Sequence, residues 1–217
     1  DEVESQIEKM SKSKLNVVNP DDVIDQYGAD AMRLYELFMG PLEATKPWQM
    51  EGLEGVSRFL HRTWRLVVDE TTGDLNPKIT SDKGISEPEL WKSIHKTVKK
   101  TVELTESMRF NTGISQMMMF VNDATGAKTL PRVILHKFIR LLAPYAPHIT
   151  EELWSRLGEE GFVSHAAVPH FDAALVVEDE VTIAIQVNGK LRATLHVAKE
   201  TSKEDLETMA LALDKVK

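Results

Sequence analysis

Apolar residues recur at helical spacing through most of residues 51–157, and this pattern constrains the fold more than any other feature of the chain. Leu53, Val56, Phe59, Leu60, Trp64 and Val67 line one face of a helix expected from about Glu51 to Glu70. A second row, Leu90, Trp91, Ile94, Val98, Thr101, Leu104, Thr105 and Met108, predicts a long helix from Glu87 to Met108. Arg109-Phe110-Asn111-Thr112 then reads as a hinge into a helix through Met117-Met118-Met119-Phe120 to about Ala124, with the methionines as core filler. Thr129-Leu130-Pro131 opens a strongly apolar helix carrying Val133, Ile134, Leu135, Phe138, Ile139, Leu141 and Leu142, which ends at Ala143-Pro144. Faces this wide are stable only against one another, so a helical bundle follows.

Both ends of the chain carry different signals. Asn19-Pro20-Asp21-Asp22 is a helix start: an Asx residue, a proline that pre-sets φ, and acids in the first turn. Gly28 ends that short helix, and a second begins near Asp30 and stops at Gly40-Pro41. Arg33 is expected to pair with Asp30 or Glu36 on its own helix. Residues 71–77 read as a turn-rich linker and Gly158 to Leu175 as an irregular link. Then the period changes. Residues 181–187 and 190–197 alternate by two around Asn188-Gly189, a strong hairpin signal, and Thr201-Ser202-Lys203-Glu204-Asp205 opens a final helix. The fold class is therefore mainly α: a helical bundle, then a small α+β piece of ββα order.

Composition narrows the function. No apolar run approaches a membrane span and no signal-peptide pattern occurs, which leaves the cytoplasm as the expected compartment, with no membrane partner. The chain has no Cys and seven His, of which only His165 and His170 lie close together, so no protein-ligated metal is expected. Net charge is −8, which argues against nucleic-acid affinity over the whole surface. Eleven acids against six bases lie from Gly158 to Lys217, so the charge is unevenly spread and any RNA contact must use local basic faces rather than a general field. The best such face is Arg58, His61, Arg62 and Arg65, turned away from the Leu53–Val67 row. Guanidinium forks suit RNA phosphates. Lys46 and Trp48 could extend that patch, although Trp48 is better placed to pack under its loop. Lys92, His95, Lys96, Lys99 and Lys100 form a second, less specific surface.

The chemistry sits near the start, in Lys9-Met10-Ser11-Lys12-Ser13 and its continuation Lys14-Leu15-Asn16. Lysines alternating with small hydroxyl residues cannot bury themselves, and compact ammonium groups on flexible stems suit a phosphate chain. The pentad matches the second signature motif of class I aminoacyl-tRNA synthetases, and residues 21–41 resemble the segment that follows it in bacterial-type leucyl-tRNA synthetases. Pro147-His148-Ile149-Thr150-Glu151-Glu152-Leu153-Trp154 resembles the bundle-closing signature of the leucyl, isoleucyl, valyl and methionyl enzymes. His148 invites a catalytic label, but without a visible nucleophile or base partner its expected task is a hydrogen bond at a helix start.

The resemblance implies that Lys9, Met10, Ser11, Lys12 and Ser13 contact ATP, which enters with Mg2+ as substrate. Lys12 would stabilise the transition state of leucine activation and Lys9 would support it. Ser11 and Ser13 would hold the loop and touch phosphate, and Met10 would anchor it in an apolar socket; Lys14 could reach phosphate or tRNA, although a plain exposed lysine is expected there. It further implies tRNA(Leu), ATP and leucine as partners. The nucleotide fold, leucine pocket and editing domain are expected ahead of Asp1. On this reading the chain is the C-terminal portion of a larger enzyme, an excised piece or one subunit of a split one, and inactive alone. The expected organisation is residues 1–20, loop and tail of the catalytic domain; 21–45, a connecting helical segment; 46–157, a tRNA-binding bundle; 158–175, a link; and 176–217, a partial C-terminal domain. Gly113 stands where the resemblance leads one to expect alanine and should loosen its helix start by about 1 kcal/mol. Two further readings share these residues: a non-catalytic helical RNA-binding module with a vestigial loop, and a plain helical scaffold with solvated basic faces.

Overall fold

The computed structural model describes residues 7–84, 86–176, 180–187, 190–198 and 201–213. The chain divides into two compact units, Asp1–Leu175 and Val176–Lys217. The acidic lead before Ile7 and the Asn188-Gly189 pair lie outside the described residues.

The first unit is helical. α1 (Pro20–Tyr27) starts at Asn19, whose side chain accepts from the Asp21 amide at 3.2 Å. Gly28, at φ +88°, separates it from α2 (Ala29–Phe38), a backbone geometry that a residue with a Cβ rarely adopts. α3 (Met50–Val67), α4 (Pro88–Glu106), α5 (Phe110–Gly126), α6 (Arg132–Leu142) and α7 (Pro147–Arg156) form the bundle. Each turns an apolar row inward. Leu53, Val56 and Phe59 of α3, Ile94 and Val98 of α4, Ile114, Met117 and Phe120 of α5, and Ile134, Leu135 and Phe138 of α6 are all buried. Phe120 and Phe138 meet at 4.8 Å between ring centroids across the centre.

Several details depart from the sequence reading. Trp64, expected inside, is half-buried at the rim under the Arg156 guanidinium, 5.0 Å from its ring, while Thr63 and Leu66 take inner positions. Of the three consecutive methionines, Met117 is fully buried but Met119 is 59% exposed. Met108, expected in the core, sits at φ +56° just past the end of α4 and is exposed. The segment after α3 is ordered by a bridge between Val68 and Leu75, and by β1 (Ile79–Thr80) pairing in parallel with β2 (Leu130–Pro131). Two-residue strands are too short to leave a period in the sequence.

Residues 158–175 are held to the bundle. Glu151 accepts from the amides of Val163 and Ser164 at 2.8 and 3.1 Å, Val163 is buried, and the Asp172 amide donates to His95 Nδ1 at 2.7 Å.

In the second unit, β3 (Glu180–Val187) and β4 (Lys190–Ala198) pair antiparallel, with a register shift between Ile185 and Gln186. α8 (Lys203–Leu211) follows, capped by Ser202, whose hydroxyl oxygen accepts from the Asp205 amide at 3.1 Å.

Candidate functional site

The Lys9–Ser13 loop stands ahead of α1 and is shaped by its own polar groups. Lys12–Lys14 make one turn of 3-10 helix, ended by Leu15 in the left-handed region at φ +55°. Asn16 fastens both arms: its Oδ1 accepts from the Ser11 amide at 2.8 Å, and its Nδ2 donates to the Lys9 carbonyl at 3.3 Å. The Ser11 and Ser13 hydroxyls bond to each other at 2.8 Å. Lys14 pairs with Glu8. Lys9 and Lys12 are exposed and, among the described residues, neither ammonium has an acid partner. Met10, expected in an apolar socket, is 41% exposed. The loop thus presents two uncompensated cations beside two hydroxyls, a set that matches the oxygens of a polyphosphate.

Sequence reasoning overlooked Asn16. Its signal was available: an Asx side chain just past a turn can bond backbone on both sides.

The residues singled out for RNA contact separate into groups. Lys46 donates to the Gly40 carbonyl at 2.7 Å. Trp48 lies edge-on to Tyr35 at 4.8 Å, with its indole N–H 3.2 Å from Met50 Sδ, and so packs beneath its loop. On α3, Arg58 lies 3.7 Å from Glu54 and Arg65 lies 3.3 Å from Glu70, both exposed pairs that water weakens. Arg62 instead crosses to α5, donating to Asn122 Oδ1 at 2.6 Å and Thr125 Oγ1 at 3.3 Å. His61 Nδ1 donates back to the Ser57 carbonyl at 2.9 Å.

The second basic surface is narrower than the sequence suggests. His95 belongs to the interior at 4% exposure, because residues 171–175 lie over that side of α4. Burial, reinforced by the Lys137 ammonium and partly opposed by the Asp172 carboxylate, holds its imidazole below the usual histidine pKa.

A cavity of about 560 Å3 opens between the α1–α2 junction, α3 and the start of α7, with Tyr27, His61, Trp64 and His148 on its walls. His148 Nδ1 donates to Asp30 Oδ1 at 2.8 Å, and Asp30 also accepts from the His148 and Ile149 amides at 3.3 and 2.7 Å. His148 therefore bonds at a helix start. Asp30 being so engaged, Arg33 does not pair along its own helix as expected and donates to the Pro144 carbonyl at 3.2 Å. Among the described residues, no three His, Cys, Asp or Glu are arranged to hold a metal ion, and no helix is long and apolar enough to cross a membrane.

Comparison with known proteins bears on these features. A family model described as tRNA synthetases class I (I, L, M and V) matches residues 3–46, and one described as the anticodon-binding domain of tRNA ligase matches residues 87–208. Among solved structures, the chain is similar to the agnB2 LeuRS of Agrobacterium radiobacter K84, crystallised in a ternary complex with tRNA and LeuAMS. The two share 28% sequence identity at a TM-score of 0.66, over 96% of this chain and 28% of that one. This chain thus spans little more than a quarter of that relative's length. The helices and the leading loop fall where those likenesses run, and the longer family match covers more than half of the residues. The chain belongs to the anticodon-binding domain family of tRNA ligases, and leads with a segment of the class I tRNA synthetase type.

Proposed function

We propose that this chain is the part of a leucine–tRNA ligase that supplies the ATP-contacting loop and the tRNA-facing helical bundle, working in the cytoplasm. The likeness to a LeuRS along 96% of the chain carries this reading. In the intact enzyme a leucine carboxylate oxygen attacks the α-phosphorus of ATP, which enters with Mg2+, and the bond to the pyrophosphate leaving group breaks. Negative charge grows on the phosphoryl oxygens and on pyrophosphate as that happens. Lys12 meets this charge, Lys9 supports it, and Ser11 and Ser13 keep the turn in shape and offer hydroxyl donors. An exposed loop suits the role, because contacts completed only as the transition state forms raise turnover rather than ground-state affinity. The bundle then holds tRNA(Leu) for transfer of the leucyl group.

Reconstitution separates this from the alternatives. Mixed with a protein bearing the matching nucleotide fold, the chain restores leucine-dependent ATP–pyrophosphate exchange. A non-catalytic RNA-binding module gives salt-sensitive tRNA binding without exchange. A plain scaffold gives neither.

A further inference from the structure

Arg62 differs from the other arginines of α3. Both acceptors that fix it on α5, Asn122 and Thr125, are neutral, and among the described residues no carboxylate pairs with it. The guanidinium is held in place with its charge uncompensated, so little side-chain entropy remains to be lost when an anion arrives. Beside it lies a cleft of about 210 Å3 whose buried floor is Leu66, Ala124 and Leu130. Arg65 and Lys78 join Arg62 on its walls. Lys78 comes from the strand-forming segment ahead of β1. Its carbonyl accepts from the Leu130 amide at 2.7 Å, its amide donates to Asn76 Oδ1 at 3.0 Å, and its ammonium reaches a neutral acceptor, the Ala127 carbonyl, at 2.9 Å. The remaining wall residues are Asn76 and Thr125, so three cations face the cleft and, among the described residues, no carboxylate or aromatic side chain lines it.

We propose that this cleft seats one backbone phosphate of an RNA strand, with Arg62 as the fixed donor and Lys78 and Arg65 closing over the phosphate oxygens. Without an aromatic wall it offers no stacking platform for a base, and three of its five polar wall residues are cations. The assignment rests on the tRNA-facing reading of the bundle. It adds Lys78, which nothing in the residue pattern singles out, and leaves out Arg58, which does not line the cleft.

The test is tRNA binding to the full chain over a series of salt concentrations. Lys78→Gln and Arg62→Gln are each expected to weaken binding roughly tenfold and to lower the slope of log K against log salt by about one. The double variant should lose little more slope than either single one, because both residues serve the same phosphate. Lys83→Gln, an exposed lysine outside the cleft, is the control and leaves the slope unchanged. Circular dichroism and melting check that Arg62→Gln folds. Lys78→Gln, with its exposed side chain, keeps the test decisive if it does not. Normal tRNA binding with unchanged slopes in both variants overturns the phosphate seat and leaves the tRNA reading intact. Absence of tRNA binding by the unaltered chain overturns both. Retained binding of millimolar inorganic phosphate at Arg62, followed by its side-chain N–H resonance, would then mark the cleft as a free-anion site and rule out an RNA source.

Discussion

Asp30 on α2 and His148 at the start of α7, 118 positions apart, are joined by a 2.8 Å hydrogen bond within a three-bond cap: one carboxylate receives the imidazole and two backbone amides. The carboxylate is buried while the imidazole is 72% exposed. The second of the two short helices that follow the loop is thereby tied to the last helix of the bundle. Helix-start amides have no intrahelical partner, so the carboxylate does for α7 what a local capping residue would otherwise do.

Asp30→Ala should cost about 2–3 kcal/mol, since it strands two amide donors in a partly buried place. The melting temperature should fall by about 5–10 °C. His148→Ala removes only the exposed imidazole and should cost about 0.5–1 kcal/mol. Equal losses for the two variants, measured by thermal unfolding, would show that the ring rather than the backbone cap holds the junction.

Gly113 offers a second check, and here the structure corrects the expectation that glycine merely loosens α5. A Cβ at this position would meet the Tyr145 hydroxyl at 3.3 Å. That hydroxyl donates to Thr105 Oγ1, which itself donates to the Thr101 carbonyl, and Tyr145 is 3% exposed with its ring edge-on to Phe110. The tyrosine has little room to yield. Gly113→Ala alone should therefore give none of the roughly 1 kcal/mol that helix propensity offers. With Tyr145→Phe in the background, the same substitution should recover part of it. Additive effects in the double-mutant cycle would mean the two positions are not coupled.

The buried imidazole of His95 links stability to pH. Its Nδ1 accepts from the Asp172 amide, so a proton there would break that bond, and burial already disfavours the charged form. With its folded pKa below the ordinary value of about 6.5, the unfolded chain binds the proton more readily. Stability should hold above that value and fall as the pH drops through it. His136 shifts in the same direction, again mainly through burial, with Glu159 opposing. Chemical denaturation at several pH values should show a shallower decline for His95→Gln, whose amide oxygen can still accept from Asp172. An unchanged profile would remove His95 from the account.

Much of this was legible in the sequence because helix packing repeats. A row such as Leu53, Val56, Phe59 and Leu60 repeats the same burial decision every turn, so the bundle could be read from spacing alone. The cap from Asn19 and the one from Ser202 were equally plain, being local. What escaped depends on distant partners. Nothing near Asp30 announces that it serves α7, and nothing near His95 announces that residue 172 covers it. Arg58, Arg62 and Arg65 look alike along one helix, and only the neighbouring α5 separates Arg62 from the rest. Within the loop, the lysines were conspicuous by composition, whereas Asn16 acts through backbone geometry that composition does not reveal.

The proposed task of Lys12 is to deliver its charge to the reacting phosphate of ATP. The most direct measurement is pre-steady-state leucyl-adenylate formation by the intact enzyme carrying Lys12→Ala, with leucine affinity measured in parallel. If Lys12 plays that part, the rate falls by roughly 100-fold or more while leucine binding changes little. A variant that forms adenylate at the normal rate, or that loses rate and leucine affinity by the same factor, would contradict it.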